Sequence, residues 1–172
     1  MGIEKGWRQV NDNRQHIAVQ VNGRAVSAEV PVRMHAADFL RHVLGLTGTH
    51  VGCEQGACGM CTIRVDGQAV KGCLMLAVQL DGTEVETVEA LAAGGALDPL
   101  QQAFQRHHAL QCGFCTPGFL MVARSLKASG RRLSREEIRE EISGVLCRCT
   151  GYHGIVEAIY SHLAESSEGL AS

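Results

Sequence analysis

All eight cysteines of the 172-residue chain fall into two tight sets. Cys53, Cys58 and Cys61 make C-x4-C-x2-C, and Cys73 follows after eleven intervening residues. This is the plant-type spacing for a 2Fe-2S cluster, in which one tight loop supplies three thiolates and a more distant segment the fourth. Gly52, Gly56 and Gly59 stand in that loop, where they let the backbone bend round a cluster and bring N–H groups to its sulfurs. Such hydrogen bonds offset the negative charge of a thiolate-ligated centre and tune its potential. The second set, Cys112, Cys115, Cys147 and Cys149, is a C-x2-C and a C-x-C separated by thirty-one residues. Each pair precedes a segment of helical period. Two helix N-termini aimed at one place offer free N–H donors and a positive dipole end to an anionic group. Spacing alone leaves the second set open to a 2Fe-2S cluster or to a four-thiolate structural zinc. Scattered core thiols would not sort into two quartets with none left over.

Elements must position these loops. Ile17, Val19 and Val21 alternate, as do Val26, Ala28 and Val30, with Asn22-Gly23 between them; this predicts an opening β-hairpin. Phe39, Leu40, Val43 and Leu44 are spaced for one face of a short helix. The stretch from Thr47 to Cys61 is rich in glycine and without period, so it reads as a wrapped loop. Ile63 and Val65 alternate ahead of an Asp66-Gly67 turn and a return strand at Val70. Leu74 to Leu80 reads as a short buried segment, and Val85 to Val88 as a last strand. The second half has helical period. Asp98-Pro99 and Thr116-Pro117 are start signals, the first ahead of Leu100, Ala103, Phe104 and His107, the second ahead of Phe119, Val122, Ala123 and Leu126. Ser134 with Glu137 is a capping box before Ile138, Ile142 and Val145. Ile155, Ile159, His162 and Leu163 form a fourth stripe. The expected architecture is α+β: a small mixed sheet with one helix, then a bundle of four short helices. Ala90 to Ala96 reads as the connection, with the boundary near Gly94: a loose extension over 1–14, then domains over 15–93 and 94–172.

Composition narrows the function. With 45% hydrophobic residues the chain can bury a core, while 16 basic against 18 acidic residues and no basic run argue against nucleic acid as partner. One Trp and few aromatics leave little for base stacking. The longest apolar runs, Leu74 to Val78 and Phe119 to Ala123, fall far short of the ~20 residues of a membrane span. The start has no apolar leader and no paired arginines, and position 6 is Gly where a myristoylation motif wants Ser or Thr, so a cytoplasmic location is expected. A disulfide framework would need an oxidising compartment.

Other side chains offer weaker chemistry. Ser27, Ser125 and Ser134 lack a nucleophile-elbow setting. His107 and His108 are adjacent, so on a helix they point apart and do not chelate one ion. His50 and His153 lie near the cysteine loops, but four thiols already fill each set. Arg148, between two cysteines, can pair with cluster charge or with an acidic group of a partner. Glu54 and Gln55 sit inside the first loop, where an exposed side chain can touch a partner. Glu136, Glu137, Glu140 and Glu141 with Arg131, Arg132, Arg135 and Arg139 read as a solvated helix face.

The segments VGCEQGACGMCTIRVDG at 51–67, QCGFCTPG at 111–118 and LCRCTGY at 146–152 together resemble the iron-sulfur subunit of the molybdenum hydroxylases, the xanthine dehydrogenase family, from about residue 15 to about residue 165. The resemblance implies a β-grasp, ferredoxin-like domain holding one 2Fe-2S cluster and a four-helix domain holding a second. It further implies electron relay between a molybdopterin centre, of the cytosine dinucleotide form, on a large subunit and FAD on a medium subunit, in a dimer of heterotrimers. The helical-domain cluster would lie nearer the pterin and the other nearer the flavin. Gln111, before the C-x2-C, would contact the pterin. Members that pass electrons to a cytochrome tend to show QSG after this motif. Thr116 to Gly118 read TPG, which favours the FAD-bearing form. The substrate stays open, because its pocket would be on another chain. Two other readings remain: a free-standing two-cluster carrier, and a zinc-stabilised interaction module.

Overall fold

The computed structural model describes residues 13–92 and 94–168; most of the expected N-terminal extension, 1–12, lies outside them. The first half is a five-stranded mixed sheet in the order β2-β1-β5-β3-β4. Strands β1 (Arg14–Val21) and β2 (Arg24–Pro31) form the expected hairpin. Its turn residues Asn22 and Gly23 have φ of 51° and 74°, the left-handed pair that a two-residue hairpin connection requires. Along β1 the side chains of Ile17, Val19 and Val21 alternate inward. β3 (Thr62–Val65) and β4 (Gln68–Lys71) repeat the device around Asp66-Gly67. β5 (Glu84–Glu86) runs parallel to β1 and antiparallel to β3, joining the two hairpins.

Three local expectations change. The helix expected at Phe39 to Leu44 is a three-residue turn α1 (Ala36–Asp38) continued by a π-helical turn over Phe39–Val43, closed by Leu44 N–H donating to the Phe39 carbonyl at 3.1 Å. The wider turn shifts the register, so Phe39 and Leu40 are buried while Val43 is 48% exposed. Leu74 to Leu80 is not a buried segment. It is two 3₁₀ turns, Gly72–Leu74 and Ala77–Leu80, which bury Ala77 and Leu80 and leave Leu74 65% exposed. The last strand stops at Glu86, and a 3₁₀ turn over Val88–Ala92 lays Leu91 into the helical core, so the connecting segment contributes a core residue after all.

The helical half packs α2 (Pro99–Arg106), α3 (Thr116–Ala128), α4 (Arg135–Glu141) and α5 (His153–Glu168) around a second core of Leu100, Phe104, Phe119, Ile138, Ile142 and Ile155 among others. Asp98 caps α2 as expected, and the Gln101 side chain accepts from the Asp98 N–H in return. For α3 the cap is Cys115 rather than Thr116, which is already the first helical residue; proline at the next position cannot donate there and does not need to. Ser134 and Glu137 make the expected capping box on α4. Ser134→Ala removes an acceptor from a seven-residue helix and is expected to lower unfolding stability by about 1 kcal/mol, read from a denaturant midpoint.

The charged stretch around α4 is partly committed. Arg135 bridges to Glu157 of α5 at 2.6 Å and lies 3.9 Å over the Tyr160 ring. The Arg131–Glu141 and Arg139–Glu136 pairs are solvent-facing, as expected of that helix face, and each contributes little. Among the described residues no helix is long and apolar enough to cross a membrane.

Candidate metal centre

The first loop wraps Cys53, Cys58 and Cys61 against Cys73, which sits in the 3₁₀ turn after β4. Its curvature is carried by left-handed backbone at Glu54 (φ 56°), Gly56 (79°) and Gly59 (71°). Gly52 is needed for space instead: a Cβ there would lie 3.3 Å from Cys58 Sγ. N–H groups turn inward to sulfur, Cys58 N–H donating to Cys53 Sγ at 3.3 Å and Cys73 N–H to Cys61 Sγ at 3.4 Å. Lys71 Nζ donates to the Gly56 carbonyl at 2.6 Å and pins the loop to β4.

The second set closes over a chain separation of more than thirty residues. Cys149 and Cys112 sulfurs lie 3.5 Å apart, and Cys147 lies close enough to Cys115 to help raise its proton affinity, after burial. Cys115 caps α3, and the Cys147–Cys149 turn leads into α5. Cys147 is tied down by residues that the spacing did not flag. Its sulfur meets the Thr150 hydroxyl at 3.1 Å and the Thr150 N–H at 3.4 Å, and its own N–H donates to the Tyr152 hydroxyl at 2.9 Å. The T-x-Y of the motif was the available signal.

Neighbouring thiols act on one another two by two: Cys53 with Cys58, Cys61 with Cys73, Cys112 with Cys149, Cys115 with Cys147. A binuclear centre takes two thiolates on each iron, whereas a lone zinc draws four to one point. The eight free thiols thus fit 2Fe-2S clusters by donor type, by pairing and by the N–H groups turned toward sulfur.

Local electrostatics differ across the set. The backbone N–H of Gln55, then that of Cys58, holds the Cys53 thiol down at about 6. Burial pushes Cys61 up to about 11 and Cys115 up to about 12. Burial also raises Cys147, but hydrogen bonds from the Thr150 hydroxyl and N–H and the Cys149 N–H outweigh it, and the net shift is down. The hydrogen bond shared with Cys112 raises Cys149. Metal ligation needs thiolates, so loading these sites releases protons.

The two sets abut. Leu146 N–H, one residue before Cys147, donates to the Cys58 carbonyl at 2.9 Å. Gly59 has no room for a side chain because the Gly144 carbonyl and Val145 press on it, and Gly118 of α3 presses on the Gly59 carbonyl from the other side. His50 stacks on Phe114 at 4.7 Å, with its Nδ1 2.9 Å from the Phe114 carbonyl, linking the run before Cys53 to one of the two residues between Cys112 and Cys115. Behind them Glu86 of β5 holds Arg64 of β3 and, at 3.1 Å, Arg124 of α3. None of these cross-links was legible as spacing, because their partners lie tens of residues apart.

Rims of the two sets differ in composition. Cys112 and Cys149 are exposed and stand among exposed Leu110, Gln111, Phe114, Leu146 and Arg148. The first loop shows Glu54, Gln55 and Leu74. His107, at the end of α2, is half-buried and His108 is exposed with φ of 49°, neither brought to a cysteine by any hydrogen bond described.

Comparison with known proteins gives the same division. The family described as "2Fe-2S iron-sulfur cluster binding domain" matches residues 19–96 and that described as "2Fe-2S binding domain" matches 87–160. The chain is 55% identical over 148 residues to the caffeine dehydrogenase subunit gamma of Pseudomonas sp. (strain CBB1), covering 84% of this chain and 89% of that one. It is 43% identical over 138 residues to the xanthine dehydrogenase iron-sulfur-binding subunit of Escherichia coli O157:H7, covering 76% and 86%. Quinoline 2-oxidoreductase from Pseudomonas putida 86 contains a chain that superposes with a TM-score of 0.86 at 52% identity, over 91% of this chain and 97% of that one. With two 2Fe-2S-binding domains in this order, matched over nearly its whole described length, the chain belongs to the small iron-sulfur subunits of the molybdenum hydroxylases, the xanthine dehydrogenase family.

Proposed function

We propose that this chain relays electrons, one at a time, from a molybdopterin centre on a large subunit to FAD on a medium subunit of a cytoplasmic complex, assembled as a dimer of heterotrimers. Cys53, Cys58, Cys61 and Cys73 hold the first 2Fe-2S cluster in a β-grasp domain over 15–93. Cys112, Cys115, Cys147 and Cys149 hold the second in a four-helix bundle over 94–172. Each cluster, when bound, takes up and releases a single electron, which suits it to splitting a two-electron oxidation into sequential transfers.

The observation that carries this reading is the bond from Leu146 N–H to the Cys58 carbonyl. It links a residue of the first quartet to the neighbour of Cys147 in the second, through one hydrogen bond and the backbone. Gly59 and Gly118 let the backbones approach closely enough for that bond to form. The exposed Cys112 and Cys149, with exposed Leu110, Phe114 and Leu146 close to them along the chain, favour the second set as the side that faces the molybdenum subunit, with Gln111 contacting the pterin. Glu54, Gln55 and Leu74 then face the flavin subunit, and backbone at Gly52, Gly56 and Gly59 shapes the loop that faces it. Half-exposed apolar side chains round an electron-transfer site support a subunit over a free-standing carrier.

Electron paramagnetic resonance of the dithionite-reduced complex tests the assignment. Two signals are expected, the first lost in Cys53→Ser and the second in Cys112→Ser. Colourless protein containing zinc would end the proposal, since zinc is d10 and silent. Monomeric, fully soluble chain that never co-purifies with larger subunits would favour the free carrier.

A further inference from the structure

Among the described residues only two buried side-chain polar atoms lack a hydrogen-bond partner, the hydroxyls of Thr49 and Thr116. Both stand in segments that carry cysteines: Thr49 four residues before Cys53, Thr116 directly after Cys115. An orphaned buried hydroxyl costs roughly 1–3 kcal/mol, and native proteins keep few of them without a reason. Three other hydroxyls of the cysteine-bearing half of the sheet and of the helices are engaged. Thr62 Oγ1 donates to the Gly59 carbonyl at 2.7 Å, Ser125 Oγ to the Gly67 carbonyl at 3.2 Å, and Thr150 Oγ1 meets Cys147 Sγ at 3.1 Å. The contrast with Thr150 is informative. Cys147 and Cys115 are the paired inner thiols of the second set, and each has a threonine close by in sequence, yet only the one beside Cys147 has found sulfur.

Thr116 is the first residue of α3, and its own N–H is already used on the Gly113 carbonyl at 3.1 Å. Its hydroxyl hydrogen is free to turn about the C–O bond. Sulfur of a reduced cluster, carrying one more negative charge than the oxidised one, is an acceptor that strengthens on reduction.

We propose that the Thr116 hydroxyl donates a hydrogen bond to sulfur at the second cluster, and that this bond raises the reduction potential of that cluster relative to a site without it. Thr116 is thus a positioning residue for charge, making no contact with substrate. The inference rests on the ligand assignment above for Cys112, Cys115, Cys147 and Cys149.

Potentiometric titration of the intact complex, followed by electron paramagnetic resonance, tests it. Thr116→Val keeps the shape and removes the hydroxyl; Thr116→Ser keeps the hydroxyl. At the poise that half-reduces the second cluster in the parent, Thr116→Val is expected to hold roughly threefold to tenfold less reduced relative to oxidised cluster, the range of one hydrogen bond favoured in one state. Thr116→Ser should stay within about twofold, and the first cluster should not move in either. Equal shifts in the two variants, or no shift in Thr116→Val, overturn the proposal. If Thr116→Val fails to retain iron, Thr116→Ala replaces it: iron lost from both of these but kept by Thr116→Ser supports a need for the hydroxyl, and iron lost from all three counts against it. Failure of the underlying ligand assignment looks different, because the parent complex would then show no second signal to titrate.

Discussion

A Gly59→Ala chain is expected to lose the junction between its two cysteine sets. The added Cβ would lie 2.2 Å from the Gly144 carbonyl oxygen and 2.8 Å from Val145 Cα, both backbone, so no side chain can swing aside to make room. Gly59 also holds φ at 71°, which costs a β-carbon about 1–2 kcal/mol by itself. Adding the overpacking term of about 1–3 kcal/mol puts the loss at about 2–5 kcal/mol. The strain falls on the segment that places Leu146 N–H on the Cys58 carbonyl and Cys147 one residue on. Two measurements follow: the urea midpoint for loss of visible absorbance should drop, and magnetic coupling between the reduced clusters should weaken. Gly82→Ala is the control. Gly82 has φ of 74° but open space where its Cβ would go, so it should show only the backbone cost. Equal effects of the two substitutions would mean that Gly59 matters for its backbone angle and not for the close approach of the halves.

The second large effect is expected at Glu86. Arg64 is almost wholly buried, and burial, then the Arg124 charge, lowers its affinity for a proton. Glu86 is what compensates it, bonding Arg64 on one oxygen and Arg124 on the other. Glu86→Ala leaves Arg64 with the Gly67 carbonyl at 3.2 Å, the more distant Glu84 charge and a second guanidinium as its neighbour. Breaking a fully buried pair costs about 3–5 kcal/mol; since Arg124 is 38% exposed and can turn to water, about 2–3 kcal/mol is the better figure. The strand and helix that this carboxylate ties together carry the first and second core respectively, so the loss should appear in chemical denaturation as a lower midpoint with earlier release of the helical half. A double substitution of Glu86 and Arg64 to apolar residues of matched size should recover much of it. No recovery would show that the carboxylate acts through Arg124 alone.

Local signals carried the reading furthest where one stretch of chain determines its own conformation. Asn22-Gly23 and Asp66-Gly67 specify hairpin turns because two successive residues must take positive φ, and the structure has both. Asp98 and Ser134 specify helix starts because their side chains satisfy N–H groups two or three residues away. The two cysteine quartets are legible for the same reason: within each C-x-n-C run, spacing alone sets how the thiols can gather.

The misreadings came where neighbours in space overrode neighbours in sequence. A π turn rotated Val43 outward, Leu74 came to rest over Gly56 at the mouth of the first loop, and Leu91 left an apparent linker for the helical core. Which thiol pairs with which, how closely the quartets approach, and where Thr116 is left without a partner are all properties of contacts made between distant segments. Residue types and short spacings determined that this chain can hold two iron-sulfur centres. Only the packing of helix against sheet, where a missing β-carbon and a shared carboxylate govern distance, decided that the two cysteine sets abut.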